Sequence, residues 1–244
     1  MNPALTLATT RRILAQLRHD PRTVVMLVVV PTLLMILLRY VFNSTLVFSR
    51  VAPALLGVFP FLIMFLIASI TTLRERTTAT LERLMTLPIG RLDLLFGYAL
   101  AFGAIAVVQV SLAAGVSLWW LGLDLAGSVG MLLVIAVLDA LLGMALGLFV
   151  SAFARTEFQA IQFMPVFVLP QILLCGLFVP RGDMGWLLRR LSDVMPLSYA
   201  VEALTRVTAS STVDAVILRN LVVVACCALL ALVLGAATLR RRTP

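Results

Sequence analysis

The chain contains no lysine, one histidine and three cysteines, and only 12% of its 244 residues are charged. Soluble domains carry about a quarter. Without lysine there is no GxxxxGK[ST] phosphate loop, so the chain does not hydrolyse ATP by that route. No GxSxG, HExxH or GxGxxG occurs either. The single His19 follows a mixed polar segment and reads as a solvated surface residue. Cys175, Cys226 and Cys227 all lie in apolar runs, which excludes a disulfide framework and a metal site of CxxC spacing. The sequence therefore points to no catalytic, cofactor-binding or metal-binding residue in this chain. The first apolar run begins after about twenty polar and mixed residues, and it is too long for the apolar core of a cleavable signal peptide.

What is abundant is apolar side chain, 62% of the residues. No water-soluble core can bury that share, so most of it must face lipid or other helices. Between Asp93 and Arg155 the only charged residues are Asp124 and Asp139, which leaves room for two spans of about 20 residues. The sequence reads as an all-α integral membrane protein, a single domain over 1–244. Its six spans lie near 23–38, 52–73, 94–121, 129–152, 158–179 and 215–239. Pro31 lies inside the first span, and Pro165 and Pro170 inside the fifth, as kinks that neighbouring helices absorb.

Arginines set the orientation. With both termini cytoplasmic, the inner segments carry twelve, among them Arg11, Arg12, Arg74, Arg76, Arg83 and Arg155, and the outer segments carry seven. That excess is inside, as the positive-inside rule requires. Five of the outer seven, Arg181, Arg189, Arg190, Arg206 and Arg219, crowd one loop beside Asp183, Asp193, Glu202 and Asp214. The net charge of +8 follows from this arrangement and from contact with anionic lipid. Dispersed arginines with no interleaved aromatics exclude a nucleic-acid partner.

Three segments do not span. Residues 1–22 hold an amphipathic helix with Leu7, Ile13, Leu14 and Leu17 on one face, suited to the cytoplasmic interface and ended by Asp20-Pro21. Residues 74–87 form a short charged helix closed by Pro88. Residues 181–206 form the longest outer loop, where Trp186, Leu187, Leu188 and Leu191 alternate with charge as in a re-entrant segment. Asp139 is the one acidic residue near the middle of a span, where an ionisable group is a functional candidate. The alternative for Asp139 is a packing role, bonded to a polar neighbour such as Gln109. Arg39 sits at the outer end of span one and is expected to snorkel.

The run Arg74-Glu75-Arg76-Thr77-Thr78-Ala79-Thr80-Leu81-Glu82-Arg83-Leu84-Met85-Thr86-Leu87-Pro88 resembles the "RER…GTLE.L…P" stretch after the second span of ABC-2 type transporter permeases. Ala79 stands where that family has glycine. Arg18, Asp20, Pro21 and Arg22 before span one, Ala154 to Glu157 after span four, Gly176 and Pro180 at the end of span five, and Met195-Pro196-Leu197-Ser198-Tyr199-Ala200-Val201-Glu202 before span six continue the resemblance along the chain. The resemblance implies a permease that dimerises with itself or a related permease and couples to two cytoplasmic ATP-binding subunits, where ATP and Mg reside. It places coupling on Glu75, Arg76, Thr80, Leu81, Glu82, Arg83 and Leu84, and a substrate path at the dimer interface; Asp139, from its mid-span position, and Gln109 are candidates to line such a path. The implied function is outward transport across the cell membrane of a hydrophobic or amphipathic small molecule, a drug, antibiotic or lipid. A secondary transporter is one alternative, but it needs inverted repeats and several midplane ionisable groups. A polysaccharide or lipid export component is another.

Overall fold

The computed structural model describes residues 3–78 and 90–238. Among these it contains nine α-helices and no strand: α1 (Pro3–Arg18), α2 (Pro21–Phe42), α3 (Thr45–Thr77), α4 (Arg91–Trp119), α5 (Val129–Val150), α6 (Glu157–Leu174), α7 (Trp186–Val194), α8 (Pro196–Ala209) and α9 (Ala215–Thr238). Six of them, α2 to α6 and α9, are long and apolar enough to cross a membrane. Each expected span thus coincides with a helix, with shifted ends.

The ends have local causes. Asp20 breaks the helix after α1 and caps α2, its side chain accepting the Thr23 amide at 3.2 Å and hydroxyl at 2.6 Å. Those bonds, the hydroxyl's first, hold the Asp20 carboxyl below its ordinary range. Asn43 takes a left-handed φ of 46° and Ser44 caps α3, turning α2 into α3 with two residues between them. The second span, expected at 52–73, is part of a 33-residue helix, about 50 Å long. Residues 74–77 continue that helix instead of starting a separate one, because no breaker precedes Thr78. The remainder of the expected charged helix, 79–87, lies outside the described residues.

The fifth span, expected to reach 179, ends at Leu174. Gly176 adopts φ +97°, a conformation that favours glycine, and the chain turns there. The freed Leu174 carbonyl accepts hydrogen bonds from Ser192 Oγ at 2.8 Å and Ser198 Oγ at 3.3 Å, so α6 is capped from α7 and α8.

The centre of the bundle is the pair α3 and α5, which run parallel. A Cβ added at Gly143 would collide with the Phe61 carbonyl, and one at Gly147 with the Phe65 carbonyl. Only glycine permits this backbone-to-backbone approach, the small-xxx-small contact of membrane helices. Around the seam lie α8 and α9, while α1 packs across α4.

The face that α1 buries differs from the expected one. Ile13 and Leu17 are buried, but with Thr6, Thr9 and Thr10, and Leu7 is left exposed. The short threonines let α1 approach α4 at Gly97, where an added Cβ would lie 2.6 Å from Thr9. Two of the hydroxyls are satisfied locally, Thr9 to the Leu5 carbonyl and Thr10 to the Thr6 carbonyl, both at 2.9 Å, and Thr6 donates across to Asp93 on α4 at 3.4 Å. Burying them therefore carries little desolvation penalty.

Candidate functional site

At the α1 end of the bundle, the last turn of α3 presents Arg74, Glu75 and Arg76 in three directions. Glu75 is buried and accepts a 3.2 Å bond from Arg12 of α1. Its carboxylate is thus taken up inside the chain, against the expectation that it faces a partner. Successive helical residues point about 100° apart, so with Arg74 facing outward the next carboxylate turns inward toward α1. Arg74 is exposed and grips Glu157 at the start of α6 through two bonds, 2.7 and 3.1 Å. Arg76 is half-buried, and its Nε has no hydrogen-bond partner among the described residues. The end of α3 is therefore tied to α1 by one ion pair and to α6 by another. Thr80, Leu81, Glu82, Arg83 and Leu84, the other expected coupling residues, lie outside the described residues.

A cavity of about 610 Å³ opens at this end between α1, α2 and α3. Its walls are mostly apolar, with Leu17, Met26, Ile63, Ile67 and Ile70 among them, and Asp20, Arg74 and Glu75 also line it. The arrangement suits an amphipathic molecule with an apolar body and a polar head.

Asp139 is fully buried near the middle of α5, and neither carboxylate oxygen has a hydrogen-bond partner among the described residues. Gln109 on α4 is equally buried and its amide is equally unpartnered. The expected bond between them is not formed. Asp139 instead occupies the α3–α5 seam, in register with Gly143 and Gly147 one and two turns on. The facing residues are Gly57, Phe61 and Phe65, each at a constant offset of 82. Neither Asp139 nor Gln109 lines the cavity just described or the one at the opposite end. Arg39 donates to the Leu121 carbonyl at 3.1 Å and makes no ion pair with Asp139.

At the end opposite α1, the loop rich in charge divides into two helices of different character. The apolar residues of α7, Trp186, Leu187, Leu188 and Leu191, are exposed. Those of α8, including Leu197, Val201 and Leu204, are buried against α3, α5 and α9. Arg181 binds Asp193 and Glu202 and lies 5.1 Å over the Tyr199 ring. Arg206 joins Glu202 to Asp214. The sequence reading missed this convergence, as it missed the partnership of Arg12 with Glu75.

The fold and these sites define a multi-pass, all-helical membrane protein. Among the described residues, no group of three or more His, Cys, Asp or Glu side chains comes together as a metal site would require. The sequence profile of the ABC-2 type transporter family matches residues 4–208, and the chain belongs to that family. It is 26% identical over 149 residues to the probable multidrug ABC transporter permease YbhR of Escherichia coli (strain K12), covering 61% of this chain and 40% of that one. To YbhS, a probable multidrug ABC transporter permease of the same strain, it is 26% identical over 184 residues, 75% of this chain and 49% of the relative. To the linearmycin resistance permease protein LnrN of Bacillus subtilis (strain 168) it is 25% identical over 140 residues, 57% and 36% of the two chains. The matched segment spans less than half the length of each of these relatives.

Proposed function

We propose that this chain is the permease subunit of an ATP-binding cassette exporter of the cell membrane. Both termini are cytoplasmic, two copies of a separate ATP-binding subunit supply the energy, and a second permease chain completes the path. The observation that carries the reading is α3, one continuous helix that joins the end bearing Arg74, Glu75 and Arg76 to the opposite end of the bundle. The family match and the names of the multidrug and resistance permeases among its relatives support it.

Residues 80–84 dock on the ATP-binding subunit. Leu81 and Leu84 supply apolar contact there, and Glu82 and Arg83 set the orientation through charge-assisted bonds. Glu75 and Arg74 act one step inward. Through Arg12 and Glu157 they make α1 and the start of α6 follow any displacement of the α3 end. The apolar cavity beside α1 favours a hydrophobic or amphipathic small molecule, a drug, antibiotic or lipid, entering from the cytoplasmic leaflet. Exposed Leu7 on α1 and the exposed apolar face of α7 suit helices lying at the two membrane interfaces, α7 with α8 forming the re-entrant segment before the last span. Asp139 and Gln109 meet substrate only in a conformation that parts the helices covering them.

Reconstituted vesicles test the reading. The chain with its ATP-binding subunit should move hydrophobic dyes or antibiotics only when ATP is supplied. The chain alone should show no ATP turnover. ATP-independent transport driven by an ion gradient would overturn the reading in favour of a secondary transporter.

A further inference from the structure

Five of the seven arginines expected on the outer side of the membrane surround a single cavity of about 730 Å³. Arg50 comes from the first turns of α3 and Arg219 from those of α9. Arg189 comes from α7, Arg206 from α8, and Arg181 from the turn between α6 and α7. Against these five stand two lining carboxylates, Asp193 and Glu202, an excess of three positive charges. Both carboxylates are already engaged, Asp193 by Arg181 and Glu202 by Arg181 and Arg206. Asp214, outside the lining, adds a second hold on Arg206.

Arg50, Arg189 and Arg219 remain. Among the described residues none of them has a carboxylate partner, and Arg219 bonds only the amide oxygen of its neighbour Asn220, at 3.1 Å. All three are exposed, so water screens their mutual repulsion, yet three guanidinium groups from three separate helices border one cavity with no carboxylate paired with them. The arrangement runs against the positive-inside rule, which gives outer segments few arginines unless they have work there. Guanidinium forks match phosphate oxygens two at a time. Val51, Ala54, Leu177 and Val201 also line the cavity and give it an apolar wall beside the charged residues, and the volume lies within the range of small-molecule sites.

We infer that this cavity is a binding site for a phosphate-type anion, held by Arg50, Arg189 and Arg219. Arg181 and Arg206 are fixed by their carboxylates and frame the site. The anion is either the headgroup of a lipid whose glycerol part rests on the apolar wall, or free phosphate. The inference concerns ligand binding by the chain itself and is read without an ATP-binding subunit, so its failure would leave the export reading standing.

The purified full chain in a neutral detergent is titrated calorimetrically with three probes. They are dihexanoyl phosphatidic acid below its micellar concentration, dihexanoyl phosphatidylcholine, and inorganic phosphate. Phosphatidic acid is expected to bind saturably, one per chain, and about ten-fold or more tighter than phosphatidylcholine, whose choline cation opposes the arginines. Arg50→Gln, Arg189→Gln and Arg219→Gln should each weaken binding about ten-fold. None of these removes an ion pair, so each should elute as the folded chain does. Arg190→Gln is the control: it removes the same charge from the same helix, but Arg190 lies outside the cavity lining, and affinity should stay within about two-fold. Binding of phosphatidic acid alone identifies a lipid headgroup site, and comparable binding of inorganic phosphate identifies a site for the anion itself. The inference is overturned if neither anion binds saturably, if phosphatidylcholine binds as well as phosphatidic acid, or if Arg190→Gln does as much damage as the three cavity variants.

Discussion

Gly57 on α3 stands directly opposite Asp139 on α5, so close that a methyl group added to the glycine would lie 3.2 Å from the carboxylate Oδ2. The same methyl group would come within 2.9 Å of Leu204 on α8. Three helices thus meet at a point where one offers no side chain and another offers a carboxyl group without a hydrogen bond. The carboxyl stands where the α3 partner is a glycine, whereas at Gly143 and Gly147 further along it is the Phe61 and Phe65 carbonyls that fill the seam.

This predicts a separation of stability from activity in Asp139→Asn. The amide keeps the shape, and no hydrogen bond to the carboxylate is lost, so folded stability in detergent should stay within about 1 kcal/mol. ATP-driven transport should nevertheless fall, because the charge is what an opened seam would present to substrate. Thermal unfolding and vesicle uptake measured on the same preparation check both halves. Unchanged uptake of every substrate tested would leave the residue with packing as its sole role.

Glycine replacements in the seam should be severe. In Gly143→Ala or Gly147→Ala the new methyl group meets a backbone carbonyl, which cannot rotate away, and overpacking of this kind costs about 1–3 kcal/mol. Gly182→Ala, with nothing within 4 Å of the added atom, should change stability by less than about 0.5 kcal/mol. Denaturation midpoints of the three variants are the measurement, and equal midpoints would show that α3 and α5 do not mate through these glycines.

The Arg12–Glu75 pair should hold α1 against α3. Glu75 has only 8% of its side chain exposed and Arg12 26%, so removing either leaves a largely desolvated charge, at about 1–3 kcal/mol. A double-mutant cycle with Arg12→Gln and Glu75→Gln should return a coupling energy of at least about 0.5 kcal/mol. Protease cleavage after Arg18 should quicken in either single variant as α1 lifts. Additive effects would mean that the pair is incidental.

Glu82→Lys tests the docking role of residues 80–84. It reverses one charge with little change in apolar area, so membrane insertion should be normal. Transport and partner-stimulated ATP turnover should drop together, since a like charge facing a like charge at an interface costs several kcal/mol. Normal partner affinity and full transport rate in this variant would remove the segment from the coupling machinery.

How far these features are legible in the sequence depends on the kind of signal that encodes them. All six spans can be read from hydropathy because a bilayer sets a length of about 20 residues and the charges between them are sparse. The buried face of α1 cannot be read that way. It is built from Thr6, Thr9 and Thr10, which hydropathy counts as polar: Thr9 and Thr10 bond the preceding turn, Thr6 donates to Asp93 on α4, and Thr9 fits against Gly97. The end of α6 is hidden for a different reason, since the serines that cap Leu174 arrive from 18 and 24 residues away. The seam does have a local signal, Gly143-x-x-x-Gly147, which identifies a close helix contact though not its partner. The arginine cavity appears in the sequence only as an orientation anomaly, and it takes the fold to bring Arg50 and Arg219 to the same place.

The uniform register between α3 and α5 has a mechanical consequence. Glycines that seat against carbonyls at every turn behave like the teeth of a rack. A shift of one residue would drive the side chains of Leu142 or Met144 into the Phe61 backbone, and the next matching position lies a full turn, about 5.4 Å, away. Small displacements therefore cannot be absorbed by slip between the two helices, so α3 and α5 shift together, while Pro53 and Pro60 inside α3 each take one backbone hydrogen bond out of its ladder. Glu75 and Arg50 sit on α3 roughly 37 Å apart. A push beside Arg12 would therefore be shared by α3 and α5 through the glycine seam before it reaches the turns that carry Pro53, Pro60 and Arg50.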